Sequence, residues 1–411
     1  MVRAAGPGFR VLRHGGFGRY LAARVLGTLA QQMLVVAVGW QVYERTRAPL
    51  DLGLIGLSQF LPFIVLILPA GHAADHYDRR RIAAACFALQ AGGAMLLALY
   101  TRVGASQVWP VFAIMSLFGI ARAFSMPAAQ ALLPNVVPVE SYGHAVALNS
   151  SAMQVARIAG PALGGLLYFA GAHAVYVTVA LLLSAALALM LAARLVSGAA
   201  QGRAPLSWRN LLSGLAFVRS RPVILGAISM DLFAVLFGGA TALLPAYAAD
   251  ILHVGPAGLG FLRTASGLGA ALCGVTLALR PIQRRVGRWM FGGVALFGVA
   301  TVVFGVSTLL WLSLAALFVL GAADMVSVYV RNLLVQLATP DAIRGRVSAV
   351  NAVFIGASNE VGEFESGVTA AWWGVVPAVV VGGVATVLVA WSWTRFFPDL
   401  WRMGRFPEPK R

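Results

Sequence analysis

Residues 138–149 read PVESYGHAVALN and residues 340–351 read PDAIRGRVSAVN. The two stretches lie 202 positions apart and share Pro138/Pro340, Gly143/Gly345, Ala147/Ala349 and Asn149/Asn351 in register. Extended outward without gaps, Leu117–Leu167 against Val319–Thr369 matches at ten of 51 positions. The other six are Gly119/Gly321, Ala121/Ala323, Ser125/Ser327, Leu132/Leu334, Gly160/Gly362 and Gly165/Gly367. Biased composition supplies some matches. It does not readily align a loop proline, a loop glycine, an asparagine and two helix glycines together. The chain therefore reads as two similar halves in tandem.

The halves are too apolar for water. The 411 residues are 60% hydrophobic and 11% charged, against roughly 25% charged in soluble domains. A membrane span needs about 20 mostly apolar residues. Twelve such runs occur, near 19–42, 51–73, 82–101, 108–128, 144–169, 173–194, 222–247, 256–279, 289–307, 310–335, 347–373 and 377–397. The basic, Gly-rich start is not followed by a short apolar core and cleavage site, so the first run reads as a retained span. The loops are short except one near 195–221, polar, basic and expected to be partly helical. It divides the runs six and six. The expected organisation is an N-terminal six-helix bundle (1–196), a cytoplasmic linker (197–221) and a C-terminal six-helix bundle with a short tail (222–411). Repeats in the same orientation imply two all-α bundles related by an axis along the membrane normal, with a site between them.

Charge supports this count. With the N-terminus cytoplasmic, 24 of the 31 Lys and Arg residues, Arg331 among them, fall on the inner side, three on the outer side and four within spans. That bias fits the positive-inside rule with both termini inside. The net charge of +17 thus orients helices. It does not form the aromatic-laced basic face of a nucleic-acid binder. Lys410 is the only lysine, so a phosphate loop of the Walker type is excluded. The six histidines are scattered over loops and span ends, away from any catalytic constellation. Cys86 and Cys273 lie apart in apolar runs and suggest neither a disulfide framework nor a metal site.

Two motifs carry a family resemblance. After the second run the chain reads GHAADHYDRRR, in which Gly71, Asp75, Arg79 and Arg80 resemble the G-x-x-x-D-[RK]-x-G-[RK]-[RK] signature of the major facilitator superfamily. His76 and Asp78 depart from it, standing for a basic residue and a glycine. The fifth run contains RIAGPALGG, where Gly160, Pro161, Gly164 and Gly165 resemble the G-P-x-x-G-G core of the superfamily's proton-coupled exporters. GIARAFSMPAAQALLP, MDLFAVLFGGATALLP, TPDAIRGRVSAVN and NEVGEFESG are similar to the branch of the enterobactin exporter and transmembrane secretion effectors. The resemblance covers the whole chain in span count, linker position and repeat. It implies a secondary transporter in a bacterial inner membrane, not an enzyme. It also implies that Asp75 and its arginines latch the cytoplasmic side in one state. Glycines permit close helix approach in lipid, and a proline permits a bend.

Charges inside the spans are the remaining signal. Arg122, Arg157 and Asp324 lie roughly fourteen residues into theirs, near mid-bilayer at about 1.5 Å per residue. Asp231 lies in the seventh span, and Glu360, Glu363 and Glu365 in the eleventh. A central charge costs about 2.5–3.5 kcal/mol on insertion scales, so such groups face the bundle interior or water. Arg122 and Asp324 are repeat equivalents. Arg122 and Arg157 are expected in a substrate cavity, although a purely structural pairing would explain them and Asp324 equally well. Asp231, Asp324, Glu360, Glu363 and Glu365 are the candidates for proton coupling. Glu360 and Glu363 share a helix face, and Glu365 points elsewhere. Arg24 and Arg263, near span ends, read as snorkelling side chains.

The expected activity is proton-coupled efflux of a small amphiphile, such as a siderophore or drug, by a monomer using the proton gradient and no cofactor. The expected partners are the bilayer, the substrate and protons, without nucleic acid. An importer of the same fold and a non-transporting receptor or assembly partner are the alternatives, since fold alone does not set direction.

Overall fold

A computed structural model describes residues 15–104, 107–138, 141–193 and 208–407. Every regular element among them is helical. The first half holds α1 (Gly15–Thr46), α2 (Pro49–His76), α3 (Arg79–Val103), α4 (Trp109–Leu132), α5 (Tyr142–Leu167) and α6 (Ala172–Ala192). Then come α7 (Trp208–Ser220), α8 (Pro222–Phe237), a short α9 (Leu244–Ala246), α10 (Gly255–Leu279), α11 (Val286–Val306), α12 (Leu310–Ala338), α13 (Asp341–Trp373), α14 (Val375–Phe396) and a terminal turn, α15 (Pro398–Trp401). Each of the twelve apolar runs coincides with helix. The expected boundary at 196/197 lies in 194–207, outside the described residues, and so do both chain ends.

Among the described residues nine helices are long and apolar enough to cross a membrane, or ten if the bent pair α7–α8 is one span. The others that match predicted runs have visible reasons to fall short. The 16-residue α8 is short because the seventh span breaks. Gly238 and Gly239 stand where its helix ends, and helix resumes at Leu244. The seventh run, predicted as continuous over 222–247, is therefore corrected to a broken one. A side chain on Gly239 would collide with α13, since a Cβ there would come within 2.7 Å of the Gly362 carbonyl. The helices α5 and α13 carry Arg157 and the three glutamates respectively. The linker contributes α7, set at 108° to α8.

The chain divides into two compact units, Met1–Gln41 with Ser58–Leu206 and Val42–Leu57 with Ser207–Arg411. In the first unit α3 packs against α4 and α6. Small residues set the spacing: a Cβ on Gly164 of α5 would lie 2.8 Å from Met33 Cα in α1, and one on Gly160 would strike Gln32. On α4, a Cβ on Gly119 would strike the Gln59 carbonyl of α2. Polar side chains join helices where no water can, as expected in lipid. Gln41 of α1 accepts from Tyr176 OH at 2.6 Å and donates to Thr101 Oγ1 at 2.9 Å.

The second unit repeats these contacts at equivalent positions. A Cβ on Gly321 of α12 would strike the Ser266 carbonyl of α10, as Gly119 does to Gln59. One on Gly362 of α13 would lie 2.9 Å from the Val235 carbonyl of α8, as Gly160 does to α1. The helix α11 packs against α12 and α14, as α3 does against α4 and α6. The matching glycines mark the same helix crossings in both units, which is why they align at a spacing of 202.

Candidate functional site

The loop motif after α2 is built around helix ends. Asp78, which departs from the family pattern, N-caps α3: its Oδ1 accepts from the backbone N–H of Arg80 at 2.8 Å and of Arg81 at 3.3 Å. A carboxylate there satisfies orphan donors and meets the positive end of the helix dipole. Arg79 Nε donates to the Ala74 carbonyl at 3.1 Å. Arg80 donates to the carbonyls of Leu191 and Ala193, and Arg19 to that of Ala192. Two guanidinium groups thus cover the carbonyl end of α6, where cations are favoured. Gly71 is buried on α2. The Asp75 side chain, expected to be the latch, lies outside the described side chains.

Of the two arginines expected in a cavity, Arg122 of α4 lies over the Phe63 ring at 5.0 Å from its centroid, a cation–π arrangement. Arg157 of α5 is exposed. Gly160, Pro161, Gly164 and Gly165 form the buried face of the same helix.

The second unit gathers the acidic residues into two groups. The first stands on α13 opposite the start of α2, which belongs to this unit as far as Leu57. A Cβ built on Gly56 would lie 2.7 Å from Glu363 Oε2 and 3.6 Å from Glu360 Oε2. A side chain at that position would require the Glu363 carboxylate to shift. Glu360 is 8% exposed and Glu363 half-buried. The backbones meet nearby, a Cβ on Gly367 falling 3.0 Å from Gly53 Cα. Glu363 also acts electrostatically on Arg263 of α10. Arg263, read from sequence as snorkelling, is half-buried and donates to the Thr241 carbonyl at 3.4 Å. Two residues beyond Glu363, Glu365 is also half-buried. The same segment is held at its tip, where Asp250 accepts from Tyr43 OH and pairs with Arg47, both at 2.5 Å.

The second group lies on α8 and α12. Asp231 of α8 is 4% exposed and forms an ion pair with Arg331 of α12, which is 2% exposed. The sequence reading places Arg331 on the cytoplasmic side among the orienting arginines. The structure adds that Arg331 is buried within the unit and held by a carboxylate. The signal was present in the spacing, because Asp324, Ser327 and Arg331 fall on one face of α12 at i, i+3 and i+7. Asp324 and Ser327 line a small cavity with Asp231, Ala234 and Val235 of α8 and Val294 and Phe297 of α11. Among the described residues no group of three or more His, Cys, Asp or Glu could hold a metal ion.

Comparisons with known proteins agree with this architecture. A family model described as "Transmembrane secretion effector" matches residues 7–400. The uncharacterized MFS-type transporter YfiS of Bacillus subtilis (strain 168) is 26% identical over 390 residues, 91% of each chain. The multidrug efflux pump Tap of Mycolicibacterium fortuitum is 27% identical over 330 residues, 77% of this chain and 80% of that one. The enterobactin exporter EntS of Shigella boydii serotype 18 is 24% identical over 347 residues, 82% of this chain and 81% of that one. Among solved structures, a bacterial homolog of the human lysosomal transporter Spinster superposes with a TM-score of 0.77 at 14% identity, covering 97% of this chain and 99% of that one. The nucleoside transporter NupG (D323A mutant) gives 0.77 at 12% identity, over 93% and 99%. At such identity these structures speak for the fold alone.

Proposed function

We propose that this chain, which belongs to the transmembrane secretion effector family of the major facilitator superfamily, exports a small amphiphile in exchange for protons by alternating access. It is a multi-pass membrane transporter and not an enzyme. The similarity to a multidrug efflux pump, a macrolide efflux protein and an enterobactin exporter supports outward transport of drug-like or siderophore-like molecules. The single observation that carries proton coupling is the Glu360/Glu363 pair over Gly56. The two carboxylates share one side of α13, Glu360 buried and Glu363 half-buried, at a depth where ionisable groups are functional by default. A carboxyl neutral in one state and ionised in the other can exchange its proton for substrate. Arg122 and Arg157 supply positive charge for an anionic or zwitterionic group of the substrate. The proposed setting is a bacterial inner membrane with both termini cytoplasmic, in keeping with the arginine bias, and the unit of action is a monomer.

The test uses inverted membrane vesicles energised to acidify their interior, with a pH-sensitive dye and a panel of enterobactin, erythromycin and ethidium. The expected result is that at least one compound accumulates and partly discharges the pH gradient, only in vesicles containing the protein. Substrate uptake that persists when the gradient is collapsed would overturn proton coupling. Movement in the opposite sense would favour the importer reading.

A further inference from the structure

The cavity between α8 and α12 is not needed by the pair over Gly56, and its charges do not balance. Asp231 and Asp324 are both acidic and line it, and Arg331 is the one cation paired there. The cluster is therefore one positive charge short of neutrality. Asp231 and Arg331 are buried and Asp324 is half-buried, and a net charge so placed in lipid-spanning protein is costly unless something compensates it. The space fits a compensating occupant. The cavity leaves about 10 Å³ for the centre of a water-sized guest, which is room for one water or an ion of that size.

A second, independent observation points into the same space. Ser327 is 2% exposed, lines the cavity, and its Oγ has no hydrogen-bond partner in the structure. Its repeat equivalent Ser125 behaves differently, donating back to the Arg122 carbonyl of its own helix at 3.4 Å. Leaving a buried hydroxyl unpaired is costly, so an occupant that bonds to Ser327 is favoured. Arg331 Nε is buried and unpartnered as well.

We propose that Asp231, Asp324, Ser327 and Arg331 form a site for one monovalent cation, either a proton shared through a bridging water or a sodium ion. Asp324 supplies the uncompensated charge, Ser327 an oxygen ligand, and the Asp231–Arg331 pair fixes the geometry. Among the described residues no other charge lines the cavity. The helix α11 presents only Val294 and Phe297 to the cavity, and its Arg288 is exposed. Arg263 of α10 is bonded to Thr241, and Glu360 and Glu363 of α13 stand at Gly56. The site deepens the proton-coupling reading, and its test needs no transport substrate, so its outcome is separable from that of the efflux assay.

The experiment uses the full chain purified in detergent. Infrared difference spectra across a pH titration report protonated carboxyl, and equilibrium dialysis with radioactive sodium at pH 8 reports sodium. If the cation is a proton, the wild type shows carboxyl absorption persisting above the range of free carboxylates, and D324N loses one carboxyl's share of it while the share of the pair over Gly56 remains. If it is sodium, one ion binds per chain, D324N binds none, and S327A binds at least tenfold more weakly. Arg331→Gln removes the internal cation and raises the cation load by one in either case. S327A keeps every charge, so it reports on the site even where a charge variant fails to fold. In the proton case S327A shifts the band's titration midpoint without abolishing it. A D324N protein that retains the band at full amplitude and any sodium binding of the wild type, or a wild type with neither, overturns the site.

Discussion

Truncating Asp231 to alanine tests how the second unit is held together. The side chains of Asp231 and Arg331 are 5% and 3% exposed, so neither can turn to water when its partner is removed. Removing one member of a buried pair costs about 3–5 kcal/mol, an upper figure for D231A because Asp324 at the same cavity offsets part of it. For a unit of about 200 residues, where 1 kcal/mol moves the melting temperature by about 2–4 °C, the expected drop is roughly 6–20 °C. The partner variant Arg331→Met should fall by a similar amount. Combining Asp231→Leu with Arg331→Met removes both charges and should return most of the loss, since apolar replacement of a buried pair is often neutral or stabilising. The assay is thermal unfolding of purified protein in one detergent, followed by intrinsic tryptophan fluorescence. A D231A protein that melts with the wild type would refute the burial argument. A double variant no more stable than either single would refute the pairing.

Three further outcomes follow from the same geometry. Gly119→Ala and Gly321→Ala should each lower stability by about 1–3 kcal/mol, the usual range for overpacking, whereas alanine at the open Gly143 should have little effect; melting temperatures compare them directly. Asp78→Ala should cost about 0.5–2 kcal/mol through the lost α3 cap, and Asp78→Ser should recover most of it. E363Q should abolish proton-driven exchange while the protein still inserts and purifies. E365Q should keep the exchange, because its carboxylate is not one of the two over Gly56.

Much of the fold was legible because the bilayer imposes one dominant constraint. Every backbone polar group must be satisfied within a helix, so eleven of the twelve apolar runs are continuous helix with only small changes at the edges. The repeat was legible because glycines at helix crossings tolerate no substitute. Gly119 and Gly321 face a carbonyl on the neighbouring helix, as Gly362 also does, and such positions resist drift. The break after Phe237 was not legible, since Gly238–Gly239 also fits a continuous transmembrane helix and only the approach of α13 shows why glycine is needed. The burial of Arg331 was not legible for a related reason. Near a span end, charge alone does not tell an orienting arginine from a buried one, and the α12 periodicity Asp324–Ser327–Arg331 was the cue that separated them. Asp78 looked like a departure from a motif because a cap is a local backbone matter, and its role follows from the N–H groups of Arg80 and Arg81. The grouping of Glu360 with Glu363 follows from helix geometry, but their position over Gly56 depends on a contact 300 residues away in the chain, beyond the reach of periodicity.

The most direct measurement of the central claim is proton flux on compound addition in energised inverted vesicles, wild type against E363Q at matched expression. The account predicts a compound-dependent, saturable discharge of the pH gradient in the wild type and none in E363Q. Equal discharge in both, or substrate export with no proton movement, would contradict it.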